Sequence, residues 1–215
     1  MPYYGLRTCD SDMTSYGGFK WKKRGKVVAP DWEPTTDCGN GLYAFLNGQG
    51  SGFLADWSND AYWLVVEFDD YVDLGGKVKF PECRVLFASQ DRHEAIVYLK
   101  KKVATDAVIG DTVSAGYRGT AIAGYKGTAT AGYRGTATAG DKGKATAGGY
   151  GTVTAGYRGT VTAGYHGIIN ILYCDSVYRE RIKTGYIGED GLKPNTPYKL
   201  DSNFNFVEVT TEGTD

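Results

Sequence analysis

From residue 114 to residue 169 small polar and apolar residues alternate for four positions, break at a glycine, and begin again every eight residues. Seven octads are clear: SAGYRGTA, IAGYKGTA, TAGYRGTA, TAGDKGKA, TAGGYGTV, TAGYRGTV and TAGYHGII. A degenerate one, DAVIGDTV, precedes them at 106–113. In Thr128-Ala129-Thr130-Ala131 a period of two puts both threonines on one face of a strand and both alanines on the other. Hydroxyls prefer water, so the alanines face inward. Glycine then turns the chain and the following Tyr-Arg-Gly completes a corner. Eight residues enclose no core, so two octads make one flattened coil of about 16 residues, and the array predicts about four coils stacked at ~4.8 Å each. The interior is narrow, lined by Ala121, Ala129, Ala137 and their equivalents, and fills out towards the C-terminus with Val153, Val161 and Ile169. Alanine buries little area, so such a stack depends on coil-to-coil hydrogen bonds and on caps over its open ends.

The flanks lose the period. Residues 1–105 predict an α+β head domain, with strands at Tyr3 to Arg7, at Trp63 to Phe68 (WLVVEF, a continuous apolar run), at Lys77 to Phe80 and at Arg84 to Ala88. Asp91 and Glu94 have the spacing of a capping box and open a helix to Lys102. Residues 106–169 are the β-solenoid. Residues 170–215 predict a β-rich C-terminal cap.

The unit AGYRGTAT resembles the AGYGSTxT octapeptide of bacterial ice-nucleation proteins, with Ala, Gly, Tyr and both threonines in the same places. That resemblance implies the β-solenoid. It departs where Arg or Lys replaces the small residue after Tyr. Taken together, the three segments are similar to uncharacterised bacterial and phage proteins, which implies a phage or prophage setting but no activity; a phage-encoded inhibitor of a host protein would fit a binding module of this kind. The threonine columns (Thr136, Thr138, Thr152 and Thr154 on one face, Thr128, Thr130, Thr160 and Thr162 on the other) imply weak ice binding as an alternative, although Ile122 and Lys144 interrupt them.

With coils of two octads, every second corner stacks. One edge then carries Tyr117, Tyr133 and Tyr165, with Gly149 as a gap, beside Arg118, Arg134, Tyr150 and His166. The other carries Tyr125 and Tyr157, with Asp141 between them, beside Lys126, Lys142 and Arg158. Tyr and Arg are the side chains most enriched at binding hot spots. Tyr117, Arg118, Tyr125, Lys126, Tyr133, Arg134, Tyr157, Arg158 and Tyr165 are therefore the candidate contact residues. The expected partner is a protein, a bacterial host protein under the phage resemblance, or a second copy of the chain. The repeats hold six Lys/Arg and one acid, against 18 and 24 in the rest. Six dispersed cations on two edges make a thin footprint for phosphates, which argues against nucleic acid. The opening segment has no basic and apolar leader, and no run reaches the ~18 apolar residues of a membrane span, so the default compartment is cytoplasmic. Cys9, Cys38, Cys83 and Cys174 are widely spaced and predict free thiols, mostly buried, and no metal site.

One enzymatic pattern stands apart. Gly39-Asn40-Gly41-Leu42-Tyr43-Ala44-Phe45, followed by WLVVEF, resembles the NAD-binding core of ADP-ribosyltransferases. The resemblance implies that Tyr43 stacks on nicotinamide and Arg7 holds the ribose or phosphate, with NAD as cofactor. The His-Gly and Ser-Thr-Ser segments of that family are missing, and Glu67, Glu82 and Glu94 lack a diagnostic spacing for a catalytic carboxylate. Walker, GxSxG and HExxH patterns are also missing. The sequence therefore points first to a non-enzymatic protein-binding module.

Overall fold

The computed structural model describes residues 1–210. It divides into two compact units, one of residues Met1–Ile109 and one that begins at Gly110.

The first unit is built on one antiparallel sheet. Its strands are β1 (Tyr3–Cys9), β4 (Gly25–Val28), β5 (Leu42–Leu46), β6 (Tyr62–Phe68), β7 (Val72–Asp73), β8 (Val78–Phe80) and β9 (Glu82–Ser89), with a two-residue ribbon of β2 (Thr14–Ser15) and β3 (Phe19–Lys20) beside them. The sheet order is β4-β9-β6-β1-β5-β8-β7. WLVVEF lies one strand from β1 and is buried along most of its length, as its continuous apolar run requires. Gly5 in β1 answers a close approach: a Cβ there would stand 2.7 Å from that of Ala44. One α-helix, α1 (Arg92–Lys100), packs on β6, β9 and β1 through Ala95, Ile96 and Leu99. The α+β expectation for this segment reduces to a β-rich unit with a single helix. The one helix that forms is the one expected after Asp91, and the stretch from Pro30 to Asp60, whose prolines, glycines and asparagines supply turns, makes only one strand and a 3-10 turn. The capping box is indirect. Asp91 accepts from the amides of His93 and Glu94, while Glu94 accepts from the Ser89 hydroxyl, which in turn accepts from the Asp91 amide.

The second unit is a β-solenoid of about four coils. Its strands are β10 (Thr112–Ala115), β11 (Thr120–Ala123), β12 (Thr128–Ala131), β13 (Thr136–Ala139), β14 (Lys144–Ala147), β15 (Thr152–Ala155), β16 (Thr160–Ala163) and β17 (Ile168–Cys174). Even and odd strands form two parallel sheets in which each residue pairs with the one sixteen positions on, Thr112 with Thr128 and Thr120 with Thr136. The inward alanines of β11 to β16 are at most 4% exposed, and Val153, Val161 and Ile169 are fully buried beside them. Each corner is a β-turn closed by a glycine amide on a glycine carbonyl, such as Gly119 on Gly116 at 3.0 Å and Gly135 on Gly132 at 3.0 Å. Neighbouring coils are then tied through Thr136 to Gly119 at 2.9 Å, Lys144 to Gly127 at 2.9 Å and their equivalents. At the C-terminal end β18 (Glu180–Tyr186) pairs antiparallel with β17, and β19 (Tyr198–Leu200) pairs with β16 and with β20 (Phe206–Glu208). Tyr198 and Leu192 extend the alanine core there, so the widening from Ala to Val to Ile matches larger side chains above it.

Candidate functional site

The first corner of the solenoid carries a continuous aromatic row. Tyr117 and Tyr133 lie parallel, 6.0 Å between ring centroids and 4° between planes. Tyr133 meets Tyr150 edge-on at 5.6 Å, and Tyr150 meets His166 at 5.0 Å. The Arg118 guanidinium sits 5.4 Å from the Tyr117 ring, and Arg134 lies between Tyr133 and Tyr150, 5.6 and 5.5 Å from their rings. The side chains stand out in solvent, with Tyr117 64% exposed. Tyr165 is exposed beside the end of the row, where its carbonyl accepts from the Tyr150 amide. Of the expected contact residues, Tyr117, Arg118, Tyr133 and Arg134 come together in this row. Gly149 is not a gap in it, because Tyr150 fills the place. The octad TAGGYGTV carries its ring one residue later than the others, a shift visible in the sequence once the corner geometry is known.

The second corner is more broken. Lys142 lies 5.7 Å from the Tyr125 ring and Arg158 5.2 Å from that of Tyr157. Asp141 does not face a partner there; its carboxylate accepts from the Tyr157 amide at 2.9 Å and joins two coils. Lys126 is exposed on this corner, and its amide reaches the Asp141 carbonyl.

The backbone at both corners is unusual. The third residue of each turn has a positive φ, from 52° at Lys126 to 58° at Arg158. The seven residues so held are Arg118, Lys126, Arg134, Lys142, Tyr150, Arg158 and His166. Turns with a positive φ at this place are ordinarily made with Gly or Asn.

The first unit holds a separate cleft. Arg7 of β1 donates from Nη1 to the Tyr43 carbonyl at 2.8 Å, so the two residues of the NAD-like pattern are brought together. The Arg7 guanidinium stacks 4.1 Å from the Trp21 ring. One Tyr43 ring face is covered by the Lys77 ammonium at 4.3 Å, and the Tyr43 hydroxyl is tied to the amide and carbonyl of Gly39. The carboxylates considered for catalysis lie elsewhere. Glu82 pairs with Lys26 at 2.8 Å and lines another cavity with Glu67, and Glu94 is engaged by Ser89. Cys9 and Cys83 are buried near Arg7, and burial pushes both thiols up, Cys83 to about 12. Cys38 and Cys174 are exposed, so only half of the thiols are buried. Among the described residues no helix is long and apolar enough to cross a membrane.

Comparison with protein-family models, with curated proteins and with solved structures finds no match. What the structure shows of the repeat is a β-solenoid of about four sixteen-residue coils.

Proposed function

We propose that the protein is a non-enzymatic binding module that docks an acidic partner protein on the Tyr117–Tyr133–Tyr150–His166 corner of its solenoid. The observation that carries this reading is the repeated left-handed residue. A non-glycine residue in that conformation costs roughly 1–2 kcal/mol. Seven corners hold Arg, Lys, Tyr or His there. Stability alone would favour Gly or Asn, so these side chains are kept for what they present to the outside.

The row suits a protein better than a nucleic acid strand. Its rings face one another or a guanidinium, so few ring faces are open for bases to stack on. Ring edges and guanidinium donors remain, and they fit carboxylates and apolar side chains of a folded surface. Arg118 and Arg134 are the guanidinium cations of this row, and they favour an acidic partner.

The test is affinity capture from a bacterial lysate with the full chain and with a Tyr117→Ala, Arg118→Asn, Tyr133→Ala, Arg134→Asn variant. Circular dichroism confirms that the coils of the variant are retained. An acidic protein held by the first and lost by the second supports the reading. Retention of every captured protein by the variant refutes it.

A further inference from the structure

The cleft of the first unit has a charge arrangement that its own residues do not balance. It is a cavity of about 420 Å3 whose lining includes Arg7, Tyr16, Cys38, Tyr43, Phe45 and Lys77. That is within the range of small-ligand pockets, ~300–1,000 Å3. Among the described residues two cations line it and no carboxylate does. A second cavity of about 450 Å3 shares Arg7, Tyr16, Gly39 and Tyr43 with it, and its one carboxylate, Asp31, accepts from the Gly41 amide at 3.1 Å.

Arg7 is short of acceptors. A guanidinium has five donors. Among the described residues the Tyr43 carbonyl takes Nη1, and the buried Nε has no partner. Burial presses this guanidinium below its ordinary value, Cys9 and Cys83 beside it act in the opposite direction, and burial raises both of those thiols. A third cation lies on the neighbouring strand, where Lys79 pairs in register with Tyr43. Lys79 is fully buried and donates to the Asp37 carbonyl at 2.9 Å and the Thr35 hydroxyl at 3.2 Å, again without a carboxylate. Arg7, Lys77 and Lys79 are thus each engaged by neutral groups. Ala44, Phe45 and Leu54 give the lining an apolar part, Thr8 and Gly39 also line it, and Tyr16 is fully exposed beside Gly17 and Gly18, whose φ values are 75° and 76°.

From this geometry we infer that the cleft is a binding site for a small apolar anion, a carboxylate or phosphate carried on a flat hydrophobic body. The anionic group sits between Arg7 and Lys77, where charge-assisted hydrogen bonds are strongest because water is partly excluded. The body lies on Ala44, Phe45 and Leu54 beneath Tyr16. The inference is independent of the solenoid corner, since it concerns the other unit.

Cys38 supplies the readout, because it lines this cavity and is exposed, whereas Cys174 is exposed in the other unit. The full chain is alkylated with iodoacetamide in the presence of benzoate or phenyl phosphate, and the two cysteines are followed by peptide mass spectrometry. Saturable protection of Cys38 and not of Cys174 is expected, and the more protective of the two probes identifies the anionic group. Arg7→Met should weaken protection at least about tenfold and Lys77→Met severalfold, as loss of a charge-assisted bond implies. Lys77→Met tests the site even where Arg7→Met disturbs folding. Equal protection by benzyl alcohol refutes the anion, and equal protection by acetate or inorganic phosphate refutes the apolar body. Unprotected Cys38 with every probe, or full protection in both variants, overturns the site.

Discussion

Gly140→Ala tests the stack at a close backbone-to-backbone contact between coils. A Cβ at residue 140 would lie 2.8 Å from the Gly124 carbonyl carbon and 2.8 Å from the Tyr125 nitrogen, both backbone atoms of the preceding coil. Ordinary contact begins near 3.4 Å, so the two coils must part by roughly 0.6 Å. The Gly140 amide bonds to the Ala123 carbonyl at 3.0 Å, and the same displacement carries it past hydrogen-bonding range. Overpacking costs about 1–3 kcal/mol, and a lost backbone bond about 0.5–1.5 kcal/mol. The reduced freedom of the unfolded chain returns about 0.4–1 kcal/mol. The expected net loss is about 2–3 kcal/mol. Gly116→Ala is the matched control, since it occupies the same octad position in the first coil and a Cβ there meets nothing within 4 Å. It should be neutral or stabilise by about 0.4–1 kcal/mol. Hydrogen exchange by mass spectrometry reads the solenoid separately from the other unit. Peptides across β12 to β15 should exchange roughly 30- to 150-fold faster in Gly140→Ala and no faster in Gly116→Ala. The same change in both variants would refute the stacking of every second octad.

The remaining predictions concern the corners, the thiols and one turn. Arg118→Asn with Arg134→Asn should leave the solenoid within about 1 kcal/mol of wild type in urea melts, because relief of the left-handed strain (roughly 1–2 kcal/mol) offsets lost cation–π contacts (~0.5–1 kcal/mol each). The same pair should weaken partner capture, whereas a large loss of stability would show that these residues serve the fold. In native protein near pH 8 a thiol reagent should modify Cys38 and Cys174 promptly and leave Cys9 and Cys83, whose thiols burial raises, until denaturant is added. Prompt modification of all of them would contradict that burial. Asp175 accepts from the amides of Val177 and Arg179, and these bonds lower it from the ordinary 3.8 to about 2. Because its folded value is depressed, its contribution to the β17–β18 turn is present above pH 4 and is lost as pH falls towards 2. The Val177 and Arg179 amide resonances should titrate with a midpoint near 2, and a midpoint near the ordinary carboxylate value would refute the turn geometry.

The solenoid was legible because its information is periodic. Thr-Ala alternation sets which face is inward, and octad length sets the coil, so even the widening to Val153, Val161 and Ile169 could be read as the approach of a cap. The corner was legible only in part. Alternate octads do bring Tyr117 over Tyr133, but the role of Tyr150 depends on a one-residue shift whose effect needs the turn conformation. Glycine was read as the turning residue. In fact the positive φ belongs to Arg118 and its equivalents, and the corner glycines are required by backbone packed against backbone. The head was least legible, because its charge imbalance arises from strands far apart in sequence. Arg7, Tyr43 and Lys77 meet only through a sheet order that no local pattern encodes.

The division of labour within the repeat follows from its core. Alanine contributes little burial, about 25 cal/mol per Å2 over a small area, so the coils must be held by the glycine corners and the regular backbone bonds between them. Apart from the Asp141 carboxylate, which takes the Tyr157 amide, the bonds between coils at the corners use no side chain from the second and third turn positions. Tyr117 and Arg118 can therefore vary to Gly149 and Tyr150 or to Asp141 and Lys142 while Arg118, Arg134 and Tyr150 still donate the same amide bond to the next coil. A position free to vary and yet filled with bulky cations and rings, in a conformation that disfavours them, is where selection on the surface is most directly visible. The exposed row and its cations are thus separable from the scaffold that carries them, and the scaffold should tolerate exchange of the whole row without loss of its coils.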